Sequence, residues 1–250
     1  MKKVLIPLPS YGFDPTEAAV PWKILSGKGI EIVFATPNGK QAQADTIMLS
    51  GKGLGIWKPL LKADKEAVKA YREMEASFAF KHPVKYVDID VAMFDGVHLP
   101  GGHDKGVKEY LESEILQNKI VEFFQQRKKV SAVCHGVLLA ARSVDNRTGK
   151  SVLYGYKTTA LLKKQERLAY YLTKLWLGDY YLTYPETTVE DEVKKYLASP
   201  SQFIHGPMPV FRDSLAKTGR GFYVIDKNYI SARWPGDIYA QSMAFSKMLI

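Results

Sequence analysis

The chain has 250 residues, 46% of them hydrophobic and 24% charged, the proportions of a soluble globular protein with one large domain or two small ones. Its aliphatic runs are of strand length, such as Val4–Leu8, so no segment is expected to cross a bilayer. Lys2 and Lys3 before that run resemble the start of a signal peptide, but Pro7, Pro9 and the charged residues beyond them break any apolar core; a buried first strand and a cytoplasmic location are expected instead. The single cysteine, Cys134, excludes an intramolecular disulfide, fits a reducing compartment and is the sole route for thiol chemistry. The net charge of +9 raises the question of nucleic acid. The basic residues are scattered, and the run Arg127-Lys128-Lys129 closes a predicted helix, where cations complement the helix dipole. Weak attraction to anions is expected, with no dedicated nucleic-acid site.

The continuous apolar run Lys3–Leu8 predicts a strand covered on both faces. A turn at Ser10–Pro15 leads into a helix from about Thr16 to Gly27, and Glu31–Ala35 predicts a second strand. Residues 39–63 are glycine-rich and aperiodic, which predicts loop, and Asp64–Phe80 predicts a solvent-facing helix. Phe94–Leu99 is a third strand running into Pro-Gly-Gly-His-Asp, Ser113–Gln126 an amphipathic helix, and Lys129–Val133 a fourth strand that ends at the cysteine. Further on come a short strand at Lys157–Thr159, helices over Ala160–Leu177 and near Glu186–Leu197, a hairpin of Phe222–Ile225 with Tyr229–Ser231, and a closing helix Pro235–Ile250. This alternation implies an α/β fold, a doubly wound, mostly parallel sheet between helices. In such sheets ligands sit beyond the carboxyl ends of the strands, near Ser10, Pro100 and Cys134.

The run Lys129-Val-Ser-Ala-Val-Cys134-His-Gly-Val-Leu-Leu-Ala-Ala141 reads as strand, abrupt turn and apolar helix. A nucleophile on such a turn requires small residues two positions away on either side, and Ala132 and Gly136 supply them. The thiol then stands at a helix N-terminus, where the dipole favours thiolate, and the His135 N–H is free to hold an oxyanion. The bland alternative is an inert buried cysteine. In Pro-Gly-Gly-His, Gly101 and Gly102 form either a plain tight turn or a backbone able to approach developing negative charge, with the Gly102 N–H as a second oxyanion donor.

Ala132-Val-Cys-His-Gly136 resembles the nucleophile elbow of the ThiJ/PfpI superfamily, within the flavodoxin-like, class I glutamine amidotransferase-like fold. Leu99-Pro-Gly-Gly-His-Asp104 resembles its oxyanion loop, and Glu17 resembles the acidic residue that bonds the reactive thiol. The pattern is closest to the chaperone/glyoxalase III branch, where an acid about thirty residues after the cysteine completes a triad with the histidine; the match is Glu166, with Asp179 and Glu186 as nearby competitors. The resemblance implies one domain over 1–250, with a variable insertion around 39–80. An aromatic-rich stretch around 168–185 departs from the family pattern and reads as core or dimer interface.

Glu17 also has a plain role, a carboxylate complementing a helix N-terminus. If it faces Cys134, it is expected to hold a proton for part of the time and to act as general acid or base, with His135 as the other base. No phosphate-binding or dinucleotide fingerprint is present, and the five histidines lack metal-ligand spacing, so neither cofactor nor metal is expected. The resemblance implies a homodimer acting on small carbonyl substrates of the methylglyoxal type. The alternatives are a cysteine peptidase or amidase, and a non-enzymatic oxidation sensor or holding chaperone.

Overall fold

Val4, Leu5 and Ile6 are fully buried, and the strand they form, Lys3–Pro7, lies inside a seven-stranded sheet in the computed structural model, which describes residues 1–250. Across the sheet the order is Tyr223–Asp226, Tyr229–Ala232, Lys129–Val133, Gly96–Leu99, Lys3–Pro7, Glu31–Thr36 and Val84–Lys85. All neighbours run parallel except the edge hairpin, where Tyr223 faces Ala232. The chain leaves Lys3–Pro7 for Glu31–Thr36 on one side and then returns to Gly96–Leu99 on the other. That reversal opens a crevice at the carboxyl ends of Lys3–Pro7 and Gly96–Leu99.

Helices cover both faces, as a parallel sheet buried on both sides requires. Pro15–Ser26 packs against Lys65–Ala76 and Ile238–Leu249, enclosing a core that includes Phe13, Phe34, Tyr71, Phe80 and Phe245. Opposite, Glu114–Gln125 and His135–Arg142 cover a larger core built on Phe123, Val130, Val137 and Leu139. Helix starts follow capping chemistry: Asp14 accepts from the Thr16 and Glu17 N–H groups at 2.7 and 3.1 Å, and Ser113 from Leu116. No helix is long and apolar enough to cross a membrane.

The doubly wound α/β architecture expected from the sequence is present, and the principal strands and helices lie within a few residues of their expected places. Four local readings change. The helix expected to face solvent, Lys65–Ala76, buries Ala67, Ala70, Tyr71 and Met74 against the body. The presumed loop 39–63 contains Gln43–Ala44, paired with Tyr11–Phe13, and a helix over Thr46–Ser50 capped by Asp45. The Lys157–Thr159 strand is reduced to one bridge between Thr158 and Phe203. Val84–Lys85, two residues long, is a strand only because it completes the edge beside Ala35 and Thr36.

One contact sets how the central elements cross. A Cβ added to Gly136 would lie 2.0 Å from the Leu99 carbonyl oxygen and 2.8 Å from that of Pro100. Both obstacles are backbone, so they cannot rotate away. Gly136→Ala is predicted to cost about 3 kcal/mol, the upper end of overpacking penalties, and to lower the melting temperature by about 10 °C in a chain of this size. An unchanged melting temperature would mean that the helix rides further from the strand than described.

Candidate active site

Cys134 lies between the strand Lys129–Val133 and the helix His135–Arg142, at φ 54° and ψ −124°. A non-glycine residue in that region is strained by its Cβ. The strain is held from both sides: the Cys134 N–H donates to the Ala232 carbonyl at 3.2 Å, and Gly136 is locked against Leu99. The side chain is 1% exposed. Burial pushes the thiol well above its usual range, the charges of Glu17 and Asp14 push it further, and the His135 N–H only partly opposes them. Desolvation here opposes the thiolate expected at a helix end, at the start of an eight-residue helix.

Glu17 enters from the first turn of Pro15–Ser26 and is fully buried. Its Oε2 accepts from the Gly101 N–H at 2.7 Å, while Oε1 has no hydrogen-bond partner and the carboxyl faces Cys134. Burial, reinforced by Asp14, raises its pKa well above the ordinary carboxylate value. Gly101 is forced to be glycine: a Cβ there would lie 2.6 Å from the His135 nitrogen and 3.1 Å from the Cys134 Cβ. Its N–H is spent on Glu17, whereas the Gly102 N–H donates to no group in the protein. The His135 N–H reaches the Cys134 sulfur, and the free Gly102 N–H lies in the adjoining loop.

The His135 ring is buried, with Nδ1 3.5 Å from the Cys134 sulfur and Nε2 unpartnered. Burial, then the neighbouring His103 and Arg142, hold its pKa well below the usual value, so the ring is a neutral acceptor. His103 packs edge-on against it at 5.2 Å and Tyr181 edge-on against His103 at 4.9 Å, forming an aromatic roof. Burial lowers His103 to about 4. His98 is structural, bonding Ser131 at 2.9 Å and the Glu17 carbonyl at 2.8 Å.

The expected acid of the triad behaves differently. Glu166 is buried and its charge is felt at Cys134, but its Oε2 accepts from the Val189 N–H at 3.0 Å, capping a helix rather than holding His135. No hydrogen-bonded chain from cysteine through histidine to acid is closed. The competitors are elsewhere: Asp179 pairs with Lys105 at the surface, and Glu186 is exposed. The aromatic stretch divides. Leu168, Tyr171, Leu175 and Trp176 point outward from the helix Lys163–Leu177, whereas Tyr181 is buried and Tyr180 bonds Asp45.

Sequence reasoning missed Asp14, Tyr181, Arg212 and Trp234 as neighbours of the site. Asp14 was visible as a cap, but the others come from loops distant in sequence whose convergence no spacing encodes. No group of three His, Cys, Asp or Glu side chains is placed to hold a metal ion. A cavity of about 500 Å³ lined by Gly221, Tyr223, Met243 and Lys247 involves none of these residues.

A strained cysteine between strand and helix, facing a buried carboxyl at the switch point of a doubly wound sheet, defines a class of α/β proteins with a nucleophile elbow. Residues 8–207 match the model of the ThiJ/PfpI family-like proteins. The chain belongs to the ThiJ/PfpI family. It is 28% identical over 246 residues to an uncharacterized protein of Schizosaccharomyces pombe, covering 94% of this chain and 79% of that one. It is also 26% identical over 170 residues to glyoxalase 3 of Candida albicans, covering 64% of this chain and 68% of the relative. The crystal structure of Candida albicans glyoxalase III superposes with a TM-score of 0.72 at 20% identity, covering 99% of this chain and 97% of the other. Schizosaccharomyces pombe DJ-1 superposes at 0.56 and 14%, covering 100% and 92%.

The Glu166 environment gives a pH signature. Burial raises its pKa from 4.5 to about 7. A raised acid stabilises the fold fully below its unfolded value, and that contribution is lost as pH rises towards the folded value. Glu166→Gln keeps an acceptor for Val189 without the titration. The wild type is predicted to lose up to about 3 kcal/mol relative to the variant between pH 5 and pH 8, read from denaturant unfolding at each pH. Parallel pH profiles would place Glu166 in water rather than in the core.

Proposed function

We propose that this protein is a cofactor-independent, glyoxalase-like enzyme that converts small 2-oxoaldehydes to 2-hydroxy acids through Cys134. The observation that carries this reading is the pairing of the buried Cys134 thiol with the buried Glu17 carboxyl, whose pKa burial raises; the Gly102 N–H nearby in the same loop is unspent. The likeness to glyoxalase 3 of Candida albicans supports the same chemistry.

In this scheme His135 Nδ1, neutral because buried, accepts the thiol proton as Sγ adds to the aldehyde carbon. The carbonyl oxygen, held by the Gly102 and His135 N–H groups, takes the Glu17 proton to give a hemithioacetal. Glu17, now ionised, removes the hydrogen from the former aldehyde carbon to form an enediolate; the hydroxyl proton passes from the former aldehyde oxygen to the adjacent oxygen, and Glu17 delivers its proton to the adjacent carbon, leaving a 2-hydroxy thioester. Water then attacks the thioester, Glu17 takes a proton from that water and so regains its starting form, and His135 gives its proton to the departing thiolate as the hydroxy acid leaves. The sum is aldehyde plus water, with no oxidant or reductant. Because Cys134 is 1% exposed, the aromatic roof of His103 and Tyr181 has to shift to admit substrate.

The peptidase reading requires an acid on His135 and an open cleft, and the ring Nε2 has no partner. An oxidation sensor depends on an accessible thiolate, which burial opposes here.

Purified protein incubated with methylglyoxal, without added thiol, is expected to consume the aldehyde and release lactate. Cys134→Ser is expected to reduce the rate to background, and Glu17→Gln to lower kcat by about 10²–10⁴-fold. Lactate formation that survives Cys134→Ser would sink the proposal.

A further inference from the structure

Arg212 brings a positive charge to this site without a counter-ion. It makes no ion pair in the protein. Its Nη2 donates only to the Leu60 and Leu61 carbonyls, at 3.3 and 3.4 Å, and its guanidinium stands 5.4 Å from the Trp234 ring centroid. The other terminal nitrogen, Nη1, is buried and has no partner. A buried guanidinium N–H left unsatisfied is costly, and proteins rarely leave one without a ligand.

Two more donors share this state. Trp234 Nε1 and Tyr181 OH are also buried without hydrogen-bond partners. Each is linked to the candidate active site through a neighbour. Trp234 follows the strand whose last residue, Ala232, pairs with Val133 and accepts from the Cys134 N–H. Tyr181 reaches the site through His103, which packs on His135. Arg212 stacks on Trp234, and its charge is felt by Asp14, Glu17 and Tyr181. Neither adjacent acid pairs with it: Asp14 Oδ1 caps Thr16 and Glu17, and Glu17 Oε2 accepts from Gly101.

We propose that Arg212, Trp234 Nε1 and Tyr181 OH form an anion subsite that binds a carboxylate at the far end of the substrate, so that the preferred substrates are 2-oxoaldehydes carrying a carboxylate tail. The charge belongs at the tail for a geometric reason. A carboxylate generated at the reacting carbon would form against Cys134 and its immediate neighbours Glu17, Asp14 and Glu166. Arg212, over Trp234, is felt at Asp14 and Glu17 but is not among the main influences on Cys134. A planar guanidinium with a free N–H, joined by an indole N–H and a phenol, matches a carboxylate better than any neutral group. This inference rests on the 2-oxoaldehyde reading above.

The test has a binding arm and a kinetic arm. In the binding arm, calorimetry on Cys134→Ser compares 2-hydroxyglutarate, which has a tail carboxylate, with lactate, whose only carboxylate is at the reacting carbon. 2-Hydroxyglutarate is expected to bind about 10–100-fold tighter, the worth of one buried charge-assisted hydrogen bond. Adding Arg212→Gln should abolish that difference, and Arg212→Lys should retain part of it. In the kinetic arm, the kcat/KM ratio of 4,5-dioxopentanoate to methylglyoxal is expected to exceed ten in the wild type and to approach one in Arg212→Gln. A residue that merely tied Leu60 and Leu61 to the body would lower both substrates together and leave the ratio intact. Equal binding of the two acids, or a selectivity ratio untouched by Arg212→Gln, overturns the proposal. Tight, Arg212-dependent binding without turnover of either aldehyde would leave the anion subsite standing and remove the glyoxalase-like reading instead.

Discussion

The packing of Gly136 against the Leu99 and Pro100 carbonyls is the constraint on which the rest of the candidate site depends. It draws the helix His135–Arg142 down onto the end of the neighbouring strand, and Cys134 must turn through a left-handed backbone conformation to connect the two. The same descent brings the His135 nitrogen and the Cys134 Cβ against Gly101, where no side chain fits. From that crowding come the short Gly101–Glu17 hydrogen bond and the orientation of the Glu17 carboxyl towards sulfur. Packing on the scale of a single methyl group thus brings the Cys134 thiol, the Glu17 carboxyl and the His135 N–H together.

Burial then decides the protonation states. A helix N-terminus alone would favour thiolate, but desolvation and two nearby carboxyls favour thiol and protonated Glu17 together. The imidazole beside them is held neutral by its own burial. This arrangement suits reactions in which protons move as bonds form, because each group begins in the form the first step consumes. Arg212 has no ion-pair partner near these groups, the feature on which the proposed anion subsite stands.

Much of this was legible in the amino-acid order. The strand before Cys134, the small residues at 132 and 136, and the Gly-Gly pair at 101–102 report backbone requirements, which local sequence encodes directly. Glu17 was legible through its place one turn into the first helix. The function of Glu166 was not, because its spacing from Cys134 is satisfied equally by a triad acid and by a cap on Val189; only the hydrogen bond separates them. Arg212, Tyr181 and Trp234 were invisible for a further reason: they meet through tertiary packing of loops that have no periodicity. The short edge strand Val84–Lys85 was missed because pairing with Ala35 and Thr36, not propensity, makes it a strand.

The most direct test of the account is the protonation state of Glu17 at neutral pH, read as the infrared carbonyl stretch of a carboxylic acid and assigned by difference against Glu17→Gln. The account predicts a protonated-acid band in the resting wild type that is absent from the variant and shifts when Cys134 is replaced by serine. A carboxylate signal alone, indifferent to Cys134, would contradict the paired thiol and acid on which the proposed chemistry stands.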